Sequence, residues 1–281
     1  MTKRKRKIKE FFGKSLLISI CLWFSSAAAF GQEATTPFVP IHAIEIGLNL
    51  SYFDYEEQDF DVKWDGFMYG LIGSYTYHNE IMFRTSLEYI RGDINYDGAT
   101  QGGTPVKEDA DDSVLEWRGL LGYDFSFNGH LITPFFGIGY RYWNDDIEGS
   151  YAYEREVEYW YSPIGIETVS PLSGPWTWGI AAEYDFFLGG TVKSHWSDVF
   201  PGFNSPEVDQ NWGDGYGLKF SLRFKRAFAN SSALSIEPYI SYWDIDESDI
   251  GTLTLYGIPV AHLIEPDNET LTYGIRIGWQ F

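Results

Sequence analysis

The last eleven residues, Leu271 to Phe281, constrain the fold of this chain more than any other stretch. Side chains of a β-strand alternate between two faces. Read that way, Leu271, Tyr273, Ile275, Ile277, Trp279 and Phe281 form one wholly apolar face. Thr272, Gly274, Arg276, Gly278 and Gln280 form the other, polar or bare. The apolar face must leave water, either against a second sheet or in lipid. The same two-faced pattern recurs near 42–53, 66–77, 80–91, 113–127, 131–143, 156–169, 175–188, 215–226 and 233–243. No helical periodicity competes after residue 41. The chain therefore reads as all-β with ten strands, or eight if the weakly patterned sixth and a neighbour fail.

The connections separate a barrel from a sandwich. Between strands two and three stand only His78-Asn79, and between four and five Asn128-Gly129-His130, a hairpin signal. Ser170 to Gly174 and Ala227 to Ser232 make the other short joins, whereas 54–65, 92–112, 144–155, 189–214 and 244–268 are long. Short and long joins alternate throughout. A sandwich has no reason to sort loop length by parity, but a transmembrane barrel does, with short turns at one rim and long loops at the other. The expected fold is an antiparallel up-and-down transmembrane β-barrel, its termini together on the side of the short turns. With its terminal Phe281, the last strand resembles the carboxy-terminal strand of Gram-negative outer-membrane β-barrels. That resemblance makes Tyr273, Ile275, Ile277, Trp279 and Phe281 the recognition element for the barrel-assembly machinery. It implies outer-membrane lipid and lipopolysaccharide as surroundings, with both termini periplasmic.

The amino terminus agrees with export. Lys3 to Lys7 with Lys9 and Lys14 form a basic region, Ser15 to Phe24 an apolar core, and Ser25 to Ala29 a run of small residues. Residues 1–31 read as a signal peptide cleaved after Ala29 or Gly31, and 32–281 as the barrel. Cys21 is the only cysteine and lies inside that core, so no disulfide framework and no thiolate metal site is expected. Of 20 basic and 40 acidic residues, seven and one fall before residue 32, leaving 13 against 39. Such an acidic chain repels nucleic acid, which is not an expected partner.

Alternation also assigns the interior. Glu45, Arg84, Glu88, Glu116, Arg118, Asp124, Arg141, Glu167, Glu183, Asp185, Lys219, Arg223, Glu237 and Arg276 all fall on polar faces. Ten strands enclose a bore near the size that side chains fill. Opposed charges there should pair, because an unpaired buried charge is costly. The expectation is a salt-bridged polar lumen, with a narrow path for ions or small solutes as the alternative. Aromatic residues, 19% of the chain, suggest interfacial girdles, with Trp64, Trp117, Trp143, Trp160, Trp176, Trp243 and Trp279 as candidates. The acidic runs Asp54 to Asp61, Lys107 to Asp112 and Asp244 to Asp249 read as solvated loops. They offer oxygen ligands for divalent cations but lack the glycine-centred calcium loop, so no metal centre and no cofactor is expected.

The ten-strand layout and the run Leu188-Gly-Gly-Thr-Val-Lys193 resemble the omptins, outer-membrane proteases with ten-stranded barrels. The omptin site pairs an Asp-x-Asp with an Asp-x-His across the mouth. Here Asp109-Ala-Asp111 matches the first element, but no Asp-x-His occurs, and His195 is followed by Asp198 at three residues' distance. His195, Asp198, Asp109 and Asp111 are thus the candidates for a hydrolytic site. Three functional readings stand: a structural or surface-interaction barrel, a narrow porin-like channel, and an omptin-like protease.

Overall fold

The computed structural model describes residues 39–58, 60, 62–99, 104–149 and 153–281. The expected signal peptide lies outside the described residues. The strands are β1 (His42–Glu57), β2 (Val62–Asn79), β3 (Ile81–Ala99), β4 (Pro105–Tyr123) and β5 (Phe125–Phe127). There follow β6 (His130–Ile147), β7 (Glu154–Pro171), β8 (Trp176–Ser194), β9 (Glu207–Gln210) and β10 (Gly215–Ala227). The chain closes with β11 (Ala233–Ile245), β12 (Gly251–Leu255), β13 (Ile258–Leu263) and β14 (Asn268–Gln280).

Neighbouring staves pair antiparallel in the order β10-β11-β14-β1-β2-β3-β4-β6-β7-β8, and β8 pairs back to β10. The ring is closed and has ten staves. No strand edge is left in the ring for lipid to meet, as a membrane demands. The last strand lies between β1 and β11, with Leu48 opposite Ile277 and Ile236 opposite the same residue. Beyond it, the Phe281 N–H donates to the Ile44 carbonyl at 2.9 Å. Asn128 and Gly129 both hold positive φ, 50° and 79°, the geometry of the two-residue hairpin turn. β5 continues β4 along β6 after a break at Asp124, whose N–H is taken by the Glu80 carbonyl. β9 pairs antiparallel with the last part of β8, beyond the stretch that β10 covers, and β12 with β13 forms a separate hairpin there.

The staves are longer than the sequence pattern indicates. They run from 13 residues in β14 to 19 in β3, against about 9–11 needed to cross a bilayer. The extra length is at the long-connection end, so most of the expected acidic loops are strand. Asp54 to Glu57 belong to β1, Lys107 to Asp112 to β4, and Asp244 and Ile245 to β11. The physical reason is a change of solvent along each stave. In the lower part the outward residues are apolar and bare, as with Ile44, Ile46, Leu48 and Leu50. A belt of rings follows, including Tyr52 stacked on Tyr273 at 5.5 Å and Tyr140 tilted against Trp160 at 4.9 Å. Above the belt the outward residues are charged, and Lys63 meets Asp54 and Asp65 at 3.3 and 3.5 Å. Inward residues invert in the same place, from polar to apolar. The strand persists; only the apolar phase moves by one residue.

That inversion corrects the girdle assignment. Trp64, Trp143 and Trp243 are 2%, 3% and 1% exposed and point into the barrel. Their parity is that of the inward residues: Trp143 follows outward Tyr142, and Trp243 follows outward Tyr242. Trp117, Trp160 and Trp279 stay on the lipid face.

Candidate functional site

The lumen has two storeys. The lower one is a network of ion pairs around a cavity of about 210 Å³ that reaches the turn end beside Pro40 and His78. Arg84 makes a bidentate pair across the bore with Glu167, at 2.6 and 2.8 Å. Arg276 of the last strand forks onto Glu88 with two bonds of 2.8 Å and reaches Glu237 at 3.2 Å. Its guanidinium also lies 4.0 Å over the Tyr239 ring. Arg223 holds the other side of Glu237, and Ser235 donates to Glu45 at 2.8 Å. Asp124 accepts from Thr133 at 2.6 Å and meets His78 at 2.7 Å near the turn rim. Higher up, Arg118 pairs with Glu183, and Lys219 with Glu116. Asp185, fully buried, lies 3.7 Å from Lys219, and Arg141 lines the same cavity. Each residue expected to face the lumen stands in this storey. Bidentate Arg–carboxylate forks fix geometry as well as charge, so opposite staves are tied across the bore.

The upper storey was not read from the sequence. It is one continuous apolar cluster drawn from nearly every stave, including Phe53, Tyr55, Trp64, Trp143, Tyr159, Tyr161, Phe187, Trp243 and Ile245. Tyr55 meets Trp64 edge-on at 5.1 Å and Trp143 at 5.0 Å, and Tyr161 meets Trp243 at 5.1 Å. Tyr161 fills the space left by Gly139, where a Cβ would lie 2.1 Å from its ring. The cluster lies across the bore as a plug above the polar cavity.

A charged group sits inside that plug. Arg155 of β7 lies 4.8 Å from the Trp64 ring and 5.7 Å from the Trp143 ring. Its Nε donates to Asp145 at 3.0 Å, and its Nη1 stands 3.5 Å from Glu57 and 3.4 Å from Glu265. Trp64 donates to Asp145 at 3.1 Å, Trp143 to Asp112 at 2.6 Å, and Tyr55 to Glu265 at 2.9 Å. One guanidinium therefore faces three carboxyls, with Asp112 beside them. The group lies above the ring belt, outside the lipid-spanning part. Burial pushes the carboxyls of Glu57, Asp112 and Asp145 above the ordinary carboxylate range. For Asp112 the charge of Asp145 adds to it, while Arg155 opposes it for Glu57 and Asp145. Sequence reading missed this group because it assigned Glu57, Asp112, Asp145 and Arg155 to loops or strand ends. The signal was the run of large apolar residues in the opposite phase beside them.

The hydrolytic candidates do not converge as expected. His195, just past β8, has Nε2 2.9 Å from Glu156 Oε2 and Nδ1 3.7 Å from Asp198 Oδ2. Asp109 and Asp111 are exposed on the outward face of β4, where Asp111 pairs with Arg91 at 3.2 Å. The structure thus brings together His195 and Asp198, adds Glu156 and Glu154, and gives Asp111 to Arg91.

The model of a protein family described as outer membrane protein beta-barrel domain matches residues 17–186. Among solved structures, the outer membrane protease OmpT from Escherichia coli shares 8% identity at a TM-score of 0.58. The match covers 88% of this chain and 99% of that one. The toluene transporter TbuX of Ralstonia pickettii shares 9% identity over 89% of this chain and 92% of that chain, TM-score 0.38. Ail, the attachment invasion locus protein of Yersinia pestis, shares 11% over 86% and 100%, TM-score 0.35. No curated protein matches this chain. At such identities the likeness to OmpT is one of fold.

Proposed function

This chain belongs to the outer membrane protein β-barrel domain family, and from that premise we propose that it is a sealed barrel with a structural or surface-interaction role. The supporting observation is the aromatic plug across the bore. A channel needs a continuous wet path, and a close-packed interior leaves few voids larger than a water molecule. The ion pairs below it stiffen the barrel and complete no route through it. A site of the omptin kind sets an Asp-x-Asp across the mouth from an Asp-x-His; this sequence has no Asp-x-His, and Asp109 and Asp111 stand outward on β4. In this reading the interactive surface is the long-connection rim, where the β12–β13 hairpin exposes apolar side chains. Tyr256 and Ile258 there are 79% and 67% exposed.

The proposal places that rim outside the cell and the short turns with both termini in the periplasm. The outward face of β14 from Tyr273, with Phe281 just beyond the strand, then serves the assembly machinery during insertion and lipid or lipopolysaccharide afterwards. Single cysteines test the orientation, since the only native cysteine is Cys21. Ile250→Cys, at a site 70% exposed beside the hairpin, should react with a membrane-impermeant maleimide on intact cells. Leu172→Cys, 51% exposed in a short turn, should react only after the outer membrane is opened. The reverse pattern would reject the orientation and the surface role with it.

A further inference from the structure

The geometry points to a transition-metal site on the outer rim of the barrel, with Glu154, His195 and Asp198 as ligands to a divalent cation such as Zn²⁺. One ligand atom from each lies within 4.8 Å of the other two. His195 Nδ1 and Asp198 Oδ2 are already 3.7 Å apart, close to the spacing of two ligands on one ion at about 2.0–2.2 Å each. Backbone hydrogen bonds hold the three together from below. The His195 N–H donates to the Glu154 carbonyl at 2.9 Å, and the Asp198 N–H to the His195 carbonyl at 3.2 Å. The approach of Glu154 and His195 therefore follows from the β7–β8 ladder and needs no ion to create it.

The far side of the imidazole supplies an independent observation. His195 Nε2 lies 2.9 Å from Glu156 Oε2, and the other oxygen of Glu156 accepts from Tyr142 at 2.8 Å. An ionised carboxylate only accepts, so Nε2 must carry the proton. In the neutral ring Nδ1 is then a bare lone pair 3.7 Å from Asp198 Oδ2, while Asn144 donates to Glu154 and Ser197 to the other oxygen of Asp198. A histidine fixed through one nitrogen by a carboxylate, with its other nitrogen turned toward further oxygens, is the usual outer-shell arrangement of a metal ligand. Lys193 does not compensate those oxygens, because its ion pair is with Glu156, at 3.7 Å.

The donor set selects the class of ion. One imidazole and two carboxylates suit Zn²⁺ and its first-row neighbours, whereas Ca²⁺ takes six to eight oxygens and Mg²⁺ a strict octahedron. The acidic runs lack that nitrogen donor. An ion here would pin the start of the crossing after β8 to the start of β7. It would so order part of the rim that the chain presents to its surroundings.

Calorimetric titration of the detergent-refolded full chain with ZnCl₂ tests the assignment. One Zn²⁺ per chain should bind, with Asp198→Asn and His195→Ala each weakening it at least about tenfold. Asp111→Asn, on the outward face of β4, should leave binding unchanged. Co²⁺ in place of Zn²⁺ should give visible absorption that His195→Ala abolishes. Heat-modified gel mobility reports folding of each variant, and Asp198 is exposed enough for its variant to fold. Absence of saturable Zn²⁺ binding to the wild type would overturn the site. So would equal binding by the folded His195→Ala variant, or equal affinity for Mg²⁺ and Zn²⁺.

Discussion

Arg155→Met should lower the unfolding free energy of the barrel by about 3–5 kcal/mol at pH 7, the usual cost of removing one partner from a buried charge cluster. The substitution keeps much of the side-chain volume between Trp64 and Trp143 but takes away the cation that is ion-paired with Asp145, Glu57 and Glu265. The deficit should depend on pH in a defined direction. Glu57, Asp112 and Asp145 have carboxyl groups held above their ordinary range by burial, so the folded state binds more protons than the unfolded one. Their contribution is fully present below the unfolded carboxylate range, about pH 4, and is lost as pH rises through the elevated values. Wild type should therefore gain stability on going from pH 7 to pH 5, and the variant should gain more. Denaturant unfolding of the refolded barrel at both values measures this. A deficit equal at the two pH values would remove the idea that these carboxyls share one buried cluster with Arg155.

Trp143→Ala should cost about 3–5 kcal/mol, as large-to-small changes of buried aromatics do. The residue touches Phe53, Tyr55 and Trp64, so its loss opens a cavity at the centre of the plug. It also leaves the buried Asp112 carboxyl without its indole donor. Trp117→Ala is the matched comparison, because Trp117 lies on the lipid face, 37% exposed. It should be far milder. Near-equal losses from the two substitutions, read as shifts in denaturation midpoint, would mean that Trp143 does not anchor a packed interior.

These two tryptophans also show how much of the molecule is legible in the sequence. Alternation in the lower staves is a direct imprint of lipid on one face and polar neighbours on the other. It puts Arg276, Glu88, Arg84 and Glu167 on the polar face, though it does not say which pairs with which. Pairing depends on stagger and side-chain reach across the bore, and neither appears in one strand. The upper staves obey the same period of two, but with the apolar set displaced by one residue. In β1 the displacement falls between Tyr52, which faces out, and Phe53, which faces in; in β6 it falls between Tyr142 and Trp143. A slip of that kind reads as the end of a strand if the apolar face is assumed to be the outer one. It marks instead the level at which lipid gives way to water and the barrel becomes an ordinary soluble one. The rim histidine was harder still. His195 meets Glu154 and Glu156 only because the β7–β8 ladder runs past the bilayer to Ser194, and no spacing in the sequence encodes that register.

Conductance across a planar lipid bilayer tests the sealed lumen most directly. Purified refolded protein should insert without discrete current steps at moderate voltage if, as proposed, the aromatic plug and the ion-paired storey beneath it seal the bore. Trp143→Ala, recorded in parallel, serves as the plug-opened form. Long-lived, uniform openings by the wild-type barrel would contradict a sealed lumen and return the chain to the channel reading.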